Sequence, residues 1–79
     1  MKLPRDLPAD DLVKTLAKLG YETTRQAGSH VRLTTRENGE HHITIPAHSP
    51  IKIGTLNSIL RDVANHFNLE RDDLLNRLF

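Results

Sequence analysis

The alternation of apolar and polar residues along the chain predicts an α-β-β-β-α order followed by one further helix. Residues 9–19 place leucine, valine and alanine at helical spacing, which predicts a first helix. Residues 21–27 are rich in threonine and end at a Gly-Ser pair, and residues 30–35 alternate between apolar and polar, so both predict strands. Residues 41–46 alternate in the same way and end in proline, which predicts a third strand.

Two amphipathic runs follow the third strand. Residues 54–67 carry apolar residues at helical spacing, and we expect Gly54 and Thr55 to start that helix after a loop. Residues 70–79 form a shorter run of the same kind, which Asn68 is placed to cap. The leucines of this last helix either complete the small core or remain as an apolar stripe for a partner.

These elements predict a single domain, residues 1–79, with residues 1–8 as an extended lead-in and residues 70–79 as a C-terminal helix. A three-stranded antiparallel sheet with its helices on one face is a two-layer α+β architecture. Among nucleic-acid binders, double-stranded-RNA-binding domains have this α-β-β-β-α order.

The second hairpin can be aligned by parity, because residues directly opposite in an antiparallel pair share a face. A three-residue loop over residues 37–39 pairs Leu33 with Ile43, apolar against apolar, and predicts a type I turn with a bulge at Gly39. The polar face then carries five side chains: His30, Arg32, Thr34, His42 and Thr44.

Parity does not determine the register of the first hairpin. A two-residue turn at Gly28-Ser29 would put Tyr21 on the polar face, whereas a bulge would return Tyr21 to the core. This choice also decides how far Arg25 and Tyr21 share the face of His30.

Composition excludes several kinds of protein. The chain has no cysteine, so disulfides, a zinc knuckle and a thiol nucleophile are excluded. It has no apolar run of about 18 residues and no charged-then-apolar leader, so we expect neither a membrane span nor a signal peptide, and a cytoplasmic location. Net charge is only +1, but positions 14–61 hold seven basic and three acidic residues. Such a basic middle suits a local polyanion, although an ordinary mixed surface has the same composition.

His30 is the first candidate for chemistry. It follows the Gly28-Ser29 pair and shares the polar face with Arg32, which suits proton transfer beside a phosphate. A surface histidine that ends a strand is the plainer interpretation. His48 lies just beyond the third strand, which ends opposite His30 in the predicted pairing. It is a candidate partner acid, phosphate contact or structural loop residue.

Other motifs are weaker. His41 and His42 point to opposite faces, and no cysteine or carboxylate spacing completes a ligand set, so no metal site and no cofactor are predicted. Gly54 and Thr55 begin a helix whose free N–H groups suit a phosphate, although a simple helix cap is the plainer interpretation.

Three segments together resemble the HicA-like (YcfA-like) family of mRNA interferase toxins: "DDLVKTLAKLGYETTRQA", "GSHVRL" and "ITIPAHSPIKIGTLNSILRDV". The resemblance covers roughly residues 7–69. It implies a double-stranded-RNA-binding-domain-like fold in the toxin of a type II toxin–antitoxin system. It further implies cleavage of mRNA that needs neither ribosome nor metal, and neutralisation by a HicB-like antitoxin.

The same resemblance assigns residues. The histidine of G-S-H, here His30, is the family's catalytic residue, and Gly28 and Ser29 match the same motif. His48 corresponds to the P-x-H histidine, while Lys52, Gly54 and Thr55 fall in the stretch that leads into the second helix.

The basic residue that the family often has before G-S-H is Ala27 here, which leaves Arg25 and Arg32 as substitutes for RNA contact. Two other hypotheses are a non-catalytic RNA-binding module of the same fold, and a protein-interaction domain that docks through its last helix.

Overall fold

The computed structural model describes residues 3–47 and 50–79. It has the predicted α+β architecture, with the three strands in one antiparallel sheet of order β1-β2-β3. The elements are α1 (Ala9–Leu16), a 3₁₀ turn (Ala17–Leu19), β1 (Glu22–Ala27), β2 (His30–Thr35), β3 (His41–Pro46), α2 (Ile53–His66) and α3 (Arg71–Leu78). The order α-β-β-β-α plus a terminal helix is therefore confirmed.

The sheet has one covered and one open face. Leu33, Ile43 and Ile45 point to the helices and are buried, whereas His30 and Arg32 on the other face are exposed. Strand β1 lies at the edge of the sheet, and all six of its residues are exposed. The helices therefore lie on one face of the sheet and leave the other available to a ligand.

The first helix ends as its sequence indicates. Gly20 has φ +82°, the left-handed conformation in which glycine ends a helix without a Cβ penalty. A Cβ at this position would meet the side chains of Glu37 and Thr35. The last turn before it, Ala17–Leu19, is 3₁₀ rather than α-helical.

The second hairpin has the predicted register, but its loop is longer than predicted and its turn is different. Leu33 pairs with Ile43, and the loop between the end of β2 at Thr35 and the start of β3 at His41 spans residues 36–40 rather than 37–39. The predicted type I turn was wrong, because Asn38 has φ +57° where a type I turn needs a negative value. Its side-chain Nδ2 donates to the carbonyl of His66 at 2.8 Å, a contact with α2 that parity along the strands does not show.

The first hairpin combines both alternatives. Ala27 pairs with His30 across a two-residue turn in which Gly28 has φ +58°, the pattern of a type II′ turn. A bulge at Thr24, between Thr23 and Arg25, then shifts the register. Without the bulge, alternation would turn Tyr21 outward; with it, Tyr21 is 1% exposed in the core. The turn thus aligns Arg25 with the face of His30, and the bulge keeps Tyr21 buried.

The start of α2 differs from the prediction. The helix begins at Ile53, one residue before Gly54, and Lys52 is the N-cap residue. No side chain makes a capping hydrogen bond there, so Thr55 is not the cap. Lys52 has extended backbone angles, and its carbonyl accepts from the N–H of Leu56, which is the first bond of the helix.

Asn68 ends α2 instead of starting α3. It has φ +54°, its N–H donates to the Asn65 carbonyl, and the N–H of Leu69 donates to the Ala64 carbonyl. This pair of bonds is a Schellman motif, in which asparagine takes the left-handed position. The N-cap residue of α3 is Glu70, so the predicted capping role of Asn68 was wrong.

The last helix completes the core. Its apolar residues Leu74, Leu75 and Leu78 are each at most 1% exposed. Lys18 also reaches across from the first helical segment and donates from Nζ to the Leu78 carbonyl at 3.0 Å. The sequence left two roles open for these leucines, to complete the core or to form an apolar stripe for a partner, and the structure shows the first.

Candidate active site

The open face of the sheet carries its polar side chains in rows that cross the three strands. Antiparallel partners share a face, so the pairing identifies each row, and neighbouring rows lie about 7 Å apart. The histidine row consists of Ala27, His30 and Pro46, and the arginine row next to it consists of Arg25, Arg32 and Thr44. Three of the predicted site residues are thus brought together.

His30 begins β2 directly after the turn and is exposed. Its neighbours in the row, Ala27 and Pro46, offer it no side-chain hydrogen bond. Within residues 3–47 and 50–79, the imidazole of His30 makes no hydrogen bond or ion pair. Both ring nitrogens therefore face solvent or a ligand rather than another described side chain, which suits a group that must exchange a proton.

Arg25 and Arg32 face each other directly on neighbouring strands. Like charges in this position destabilise a sheet by a few tenths of a kcal/mol up to about 1 kcal/mol. Neither guanidinium has an ion-pair partner among the residues that the structure describes, and their row contains no acid. Two adjacent, uncompensated cations one row from His30 can attract an anion, and planar guanidinium groups match the geometry of phosphate.

The turn ahead of His30 is tied to the end of β3. The Ala47 N–H donates to the carbonyl of Ser29 at 2.6 Å, while the Ser29 side chain is exposed with no partner in the described part of the chain. The predicted site residue His48 comes directly after Ala47 and lies outside the described residues.

Lys52, Gly54 and Thr55 lie at the start of α2, away from the two rows. Lys52 lines a surface groove together with Arg5 and Arg71, and neither the histidine row nor the arginine row borders that groove. No hydrogen bond within the described segments links these three residues to His30. Of the three, Lys52 lines this groove, which is distinct from the two rows.

A second histidine cluster, which the sequence did not predict, lies at the opposite end of the sheet. His41 Nε2 is 3.2 Å from Asp62 Oδ1, and His41 Nδ1 is 2.7 Å from the Tyr21 hydroxyl. A carboxylate only accepts, so Nε2 of the neutral ring donates to Asp62 and the Tyr21 hydroxyl donates to Nδ1. The His66 ring stacks on His41 with centroids 4.3 Å apart and planes 11° apart.

This cluster is part of the packing of the molecule. Burial, with the Asp62 carboxylate as a lesser cause, raises the pKa of Tyr21 well above its ordinary value. Parity did put His41 on the apolar face, where an imidazole needs partners. The sequence signal that could have found them is the spacing of Asp62 and His66, which lie one helical turn apart on α2.

Neither a metal-ligand cluster nor a membrane-spanning helix occurs in the described chain. Over residues 3–47 and 50–79, no three His, Asp or Glu side chains converge on a point that could hold a metal ion. In the same residues, none of the helices is long and apolar enough to span a bilayer.

A small α+β domain with a partner-free histidine and two uncompensated arginines on an open sheet face defines a class of protein. It can bind a polyanion and exchange a proton beside it. The model of the HicA toxin family of bacterial toxin–antitoxin systems matches residues 9–64, most of the chain. The chain belongs to this family, and it is therefore the toxin of a toxin–antitoxin system with an antitoxin partner. Searches of curated proteins and of solved structures found no match.

Proposed function

We propose that this HicA-family toxin is an endoribonuclease that cleaves mRNA, with His30 as its catalytic residue and no metal cofactor. The observation that carries the proposal is the arrangement of the open face. His30 is exposed without a partner in the described chain, and Arg25 and Arg32 lie one row away with their charges uncompensated. A toxin of this family needs a chemical means of stopping growth, and this surface provides the groups for phosphodiester cleavage.

The proposed reaction is an internal displacement on RNA. The 2′-oxygen of a ribose forms a bond to the adjacent phosphorus, and the bond from phosphorus to the 5′-oxygen breaks. The 2′-hydroxyl loses a proton and the leaving 5′-oxygen gains one. His30 performs one of these two proton transfers, and the guanidinium groups of Arg25 and Arg32 stabilise the negative charge on the phosphorane.

We further propose that the RNA extends beyond the two rows. Ser29 adjoins the histidine row, and His48 follows the end of β3. Lys52 and Thr55 would bind phosphates further along the strand, beside the start of α2, where a Cβ on Gly54 would meet no atom within 4 Å. Gly28 contributes the tight turn that holds Ser29 and His30.

The proposed partner is a HicB-like antitoxin in the cytoplasm. Because the open face is large, flat and exposed, a protein can neutralise the toxin either by covering His30 or by closing the path of the RNA. Acidic side chains on the antitoxin would complement Arg25 and Arg32.

The test is cleavage of a labelled single-stranded RNA by purified protein in the presence of a metal chelator. His30→Ala should lower the rate by about 100- to 10,000-fold, the usual contribution of one general acid or base. Its thermal unfolding should match that of the parent protein, because His30 is exposed and its imidazole makes no hydrogen bond or ion pair within the described residues. Full activity of His30→Ala would overturn the assignment. RNA binding without cleavage by the parent protein would favour a non-catalytic RNA-binding module instead.

A further inference from the structure

A chain of hydrogen-bonded side chains crosses all three strands of the open face, next to the arginine row. His42 Nδ1 lies 2.7 Å from Thr34 Oγ1, and Thr34 Oγ1 lies 2.9 Å from Thr24 Oγ1. On the other side of the ring, His42 Nε2 lies 3.2 Å from Glu40 Oε2. These four residues are called the threonine–histidine chain below.

The threonine–histidine chain holds the His42 ring by both edges. The Glu40 carboxylate only accepts, so Nε2 of the neutral ring carries the hydrogen and donates to Glu40. The Thr34 hydroxyl then donates to Nδ1. Thr24 supports Thr34 from the edge strand because the bulge in β1 turns its side chain toward this face.

Both ring nitrogens of His42 are engaged within the chain, so the edges of the ring are already occupied. Its side chain is nevertheless 39% exposed. What the ring offers to a ligand is its flat carbon surface, held in one orientation. A surface of this kind binds other flat groups, and nucleobases are the flat groups of a nucleic acid.

The position of His42 fits an RNA strand that also passes His30. His42 pairs with Thr34, and Thr34 lies four residues after His30 on the same strand and the same face. The two histidines are therefore about 13 Å apart along the strands, with the arginine row between them. A base that reaches His42 belongs to a nucleotide beside the cleaved bond rather than to the cleaved phosphodiester itself.

The open face has few other surfaces on which a base could stack. The chain has one tyrosine, two phenylalanines and no tryptophan. Tyr21 is buried and Phe67 packs against the core, while Phe79 follows the end of α3. The histidines and arginines of the open face are thus its only flat side chains among the described residues.

We propose that His42 is a stacking platform for a nucleobase of single-stranded RNA, at a nucleotide flanking the cleaved phosphodiester. This inference rests on the proposed function, because it assumes that RNA lies on the same face. It adds a residue that takes no part in the proton transfers and that selects which base is held next to them.

The test compares two replacements of His42 in the His30→Ala protein, which leaves the RNA intact. His42→Phe keeps a flat ring and loses its hydrogen bonds, whereas His42→Gln keeps polar groups and loses the ring. Binding is measured by fluorescence anisotropy with a labelled single-stranded oligoribonucleotide. Loss of one stacked base should weaken binding by His42→Gln about 5- to 20-fold, while His42→Phe stays within about 2-fold of the His30→Ala protein.

Two results would overturn the proposal. Equal losses in both variants would mean that the hydrogen bonds matter and the ring does not, and no loss in either would mean that RNA does not reach His42. Asn76→Ala, on the exposed side of α3, is the matched control and should bind unchanged. Thermal unfolding of each variant checks that the domain remains folded.

Cleavage by proteins that retain His30 separates this proposal from the proposed function. His42→Gln should raise KM more than it lowers kcat and should redistribute the cleavage sites along a mixed-sequence RNA. If the parent protein cleaves no RNA, the proposed function fails, while the binding comparison still decides whether His42 stacks with a base.

Discussion

The two ends of the sheet each carry a histidine, and the two side chains are placed in opposite ways. His30, at the turn between β1 and β2, is exposed and has no partner among the described residues. His41, at the other end, uses both ring nitrogens, stacks on His66 and has a side chain only 19% exposed. The comparison teaches that surroundings rather than residue type separate a packing histidine from one that is free to meet a ligand.

The same contrast holds for charge. At the His41 end, Asp62 accepts from an imidazole, and no buried side-chain nitrogen or oxygen in the described chain lacks a partner. At the His30 end, Arg25 and Arg32 face each other without an acid in their row. The molecule therefore concentrates stabilising contacts at one end of the sheet and leaves uncompensated charge at the other, as binding sites commonly do.

The largest difference in stability between the two ends should come from replacing one glycine at each: Gly28 at the His30 end and Gly20 at the His41 end. Gly28→Ala puts a Cβ on a residue with φ +58° but meets no atom within 4 Å, so it should cost about 1–2 kcal/mol. Gly20→Ala bears the same strain and also displaces Thr35, whose buried hydroxyl donates to the Leu19 carbonyl at 2.8 Å. We expect about 2–4 kcal/mol in total, measured by urea denaturation. Equal losses of stability at both glycines would contradict the contrast.

Replacing each histidine by alanine should separate stability from activity. His41→Ala leaves the buried Tyr21 hydroxyl without its acceptor, which should lower the free energy of unfolding by about 1–3 kcal/mol. His30→Ala should change it by no more than about 0.5 kcal/mol. At a temperature where both variants are folded, His41→Ala should still cleave RNA and His30→Ala should not. A His30→Ala protein as unstable as His41→Ala would remove the distinction between the two ends.

Alkaline pH should destabilise the protein through Tyr21, which lies at the His41 end. Tyr21 is the one tyrosine of the chain, and its raised pKa means that the unfolded chain loses the phenolic proton first, near pH ~10. Its contribution is fully present below that pH and is lost as the pH rises toward the folded pKa. The free energy of unfolding should fall by up to about 1.4 kcal/mol per pH unit over this range.

The phenolate absorbance of Tyr21 measures this effect directly, because it should appear together with unfolding. Tyr21→Phe should remove the tyrosine contribution to the slope. Ionisation near pH ~10 in a protein that remains folded would contradict the prediction.

A small effect on stability, with the opposite sign, is expected at the arginine row. Arg25→Gln or Arg32→Gln relieves a like-charge pair and should raise stability by about 0.2–1 kcal/mol or leave it unchanged. Each should weaken RNA binding and lower the slope of log affinity against log salt by about 0.7 for each phosphate that the variant no longer neutralises. Arg77→Gln on α3 is the matched control. Lower stability with an unchanged salt slope would indicate a structural role for the row.

How much the sequence could predict differs between the two hairpins. β2 and β3 alternate apolar and polar residues, so parity was enough to align Leu33 with Ile43 and to put His30 and Arg32 on the open face. Strand β1 lies at the edge with every side chain exposed. No buried apolar residue in it therefore shows which side chains point toward the core. The bulge at Thr24 therefore could not be read from the sequence, although it reconciles Arg25 outside with Tyr21 inside.

The contacts that sequence reasoning missed are those made between distant segments. The residue that departs from the predicted turn, Asn38, bonds to the His66 carbonyl, and the bonds of His41 join residues 20 and 21 positions apart. Such contacts depend on how α2 packs on the sheet, which local patterns do not determine. Sequence reasoning did put His30 and Arg32 on the same face of the sheet, because that placement depends only on alternation within one strand.

The burial of the last helix also has a consequence for the timing of synthesis. Leu74, Leu75 and Leu78 belong to the hydrophobic core of a domain whose strands are all made earlier. The domain therefore cannot complete its fold until residues 71–78 have left the ribosome. A growing chain that already contains His30, Arg25 and Arg32 still lacks three buried leucines of its core. The charged face of the sheet is therefore synthesised before the core behind it is complete.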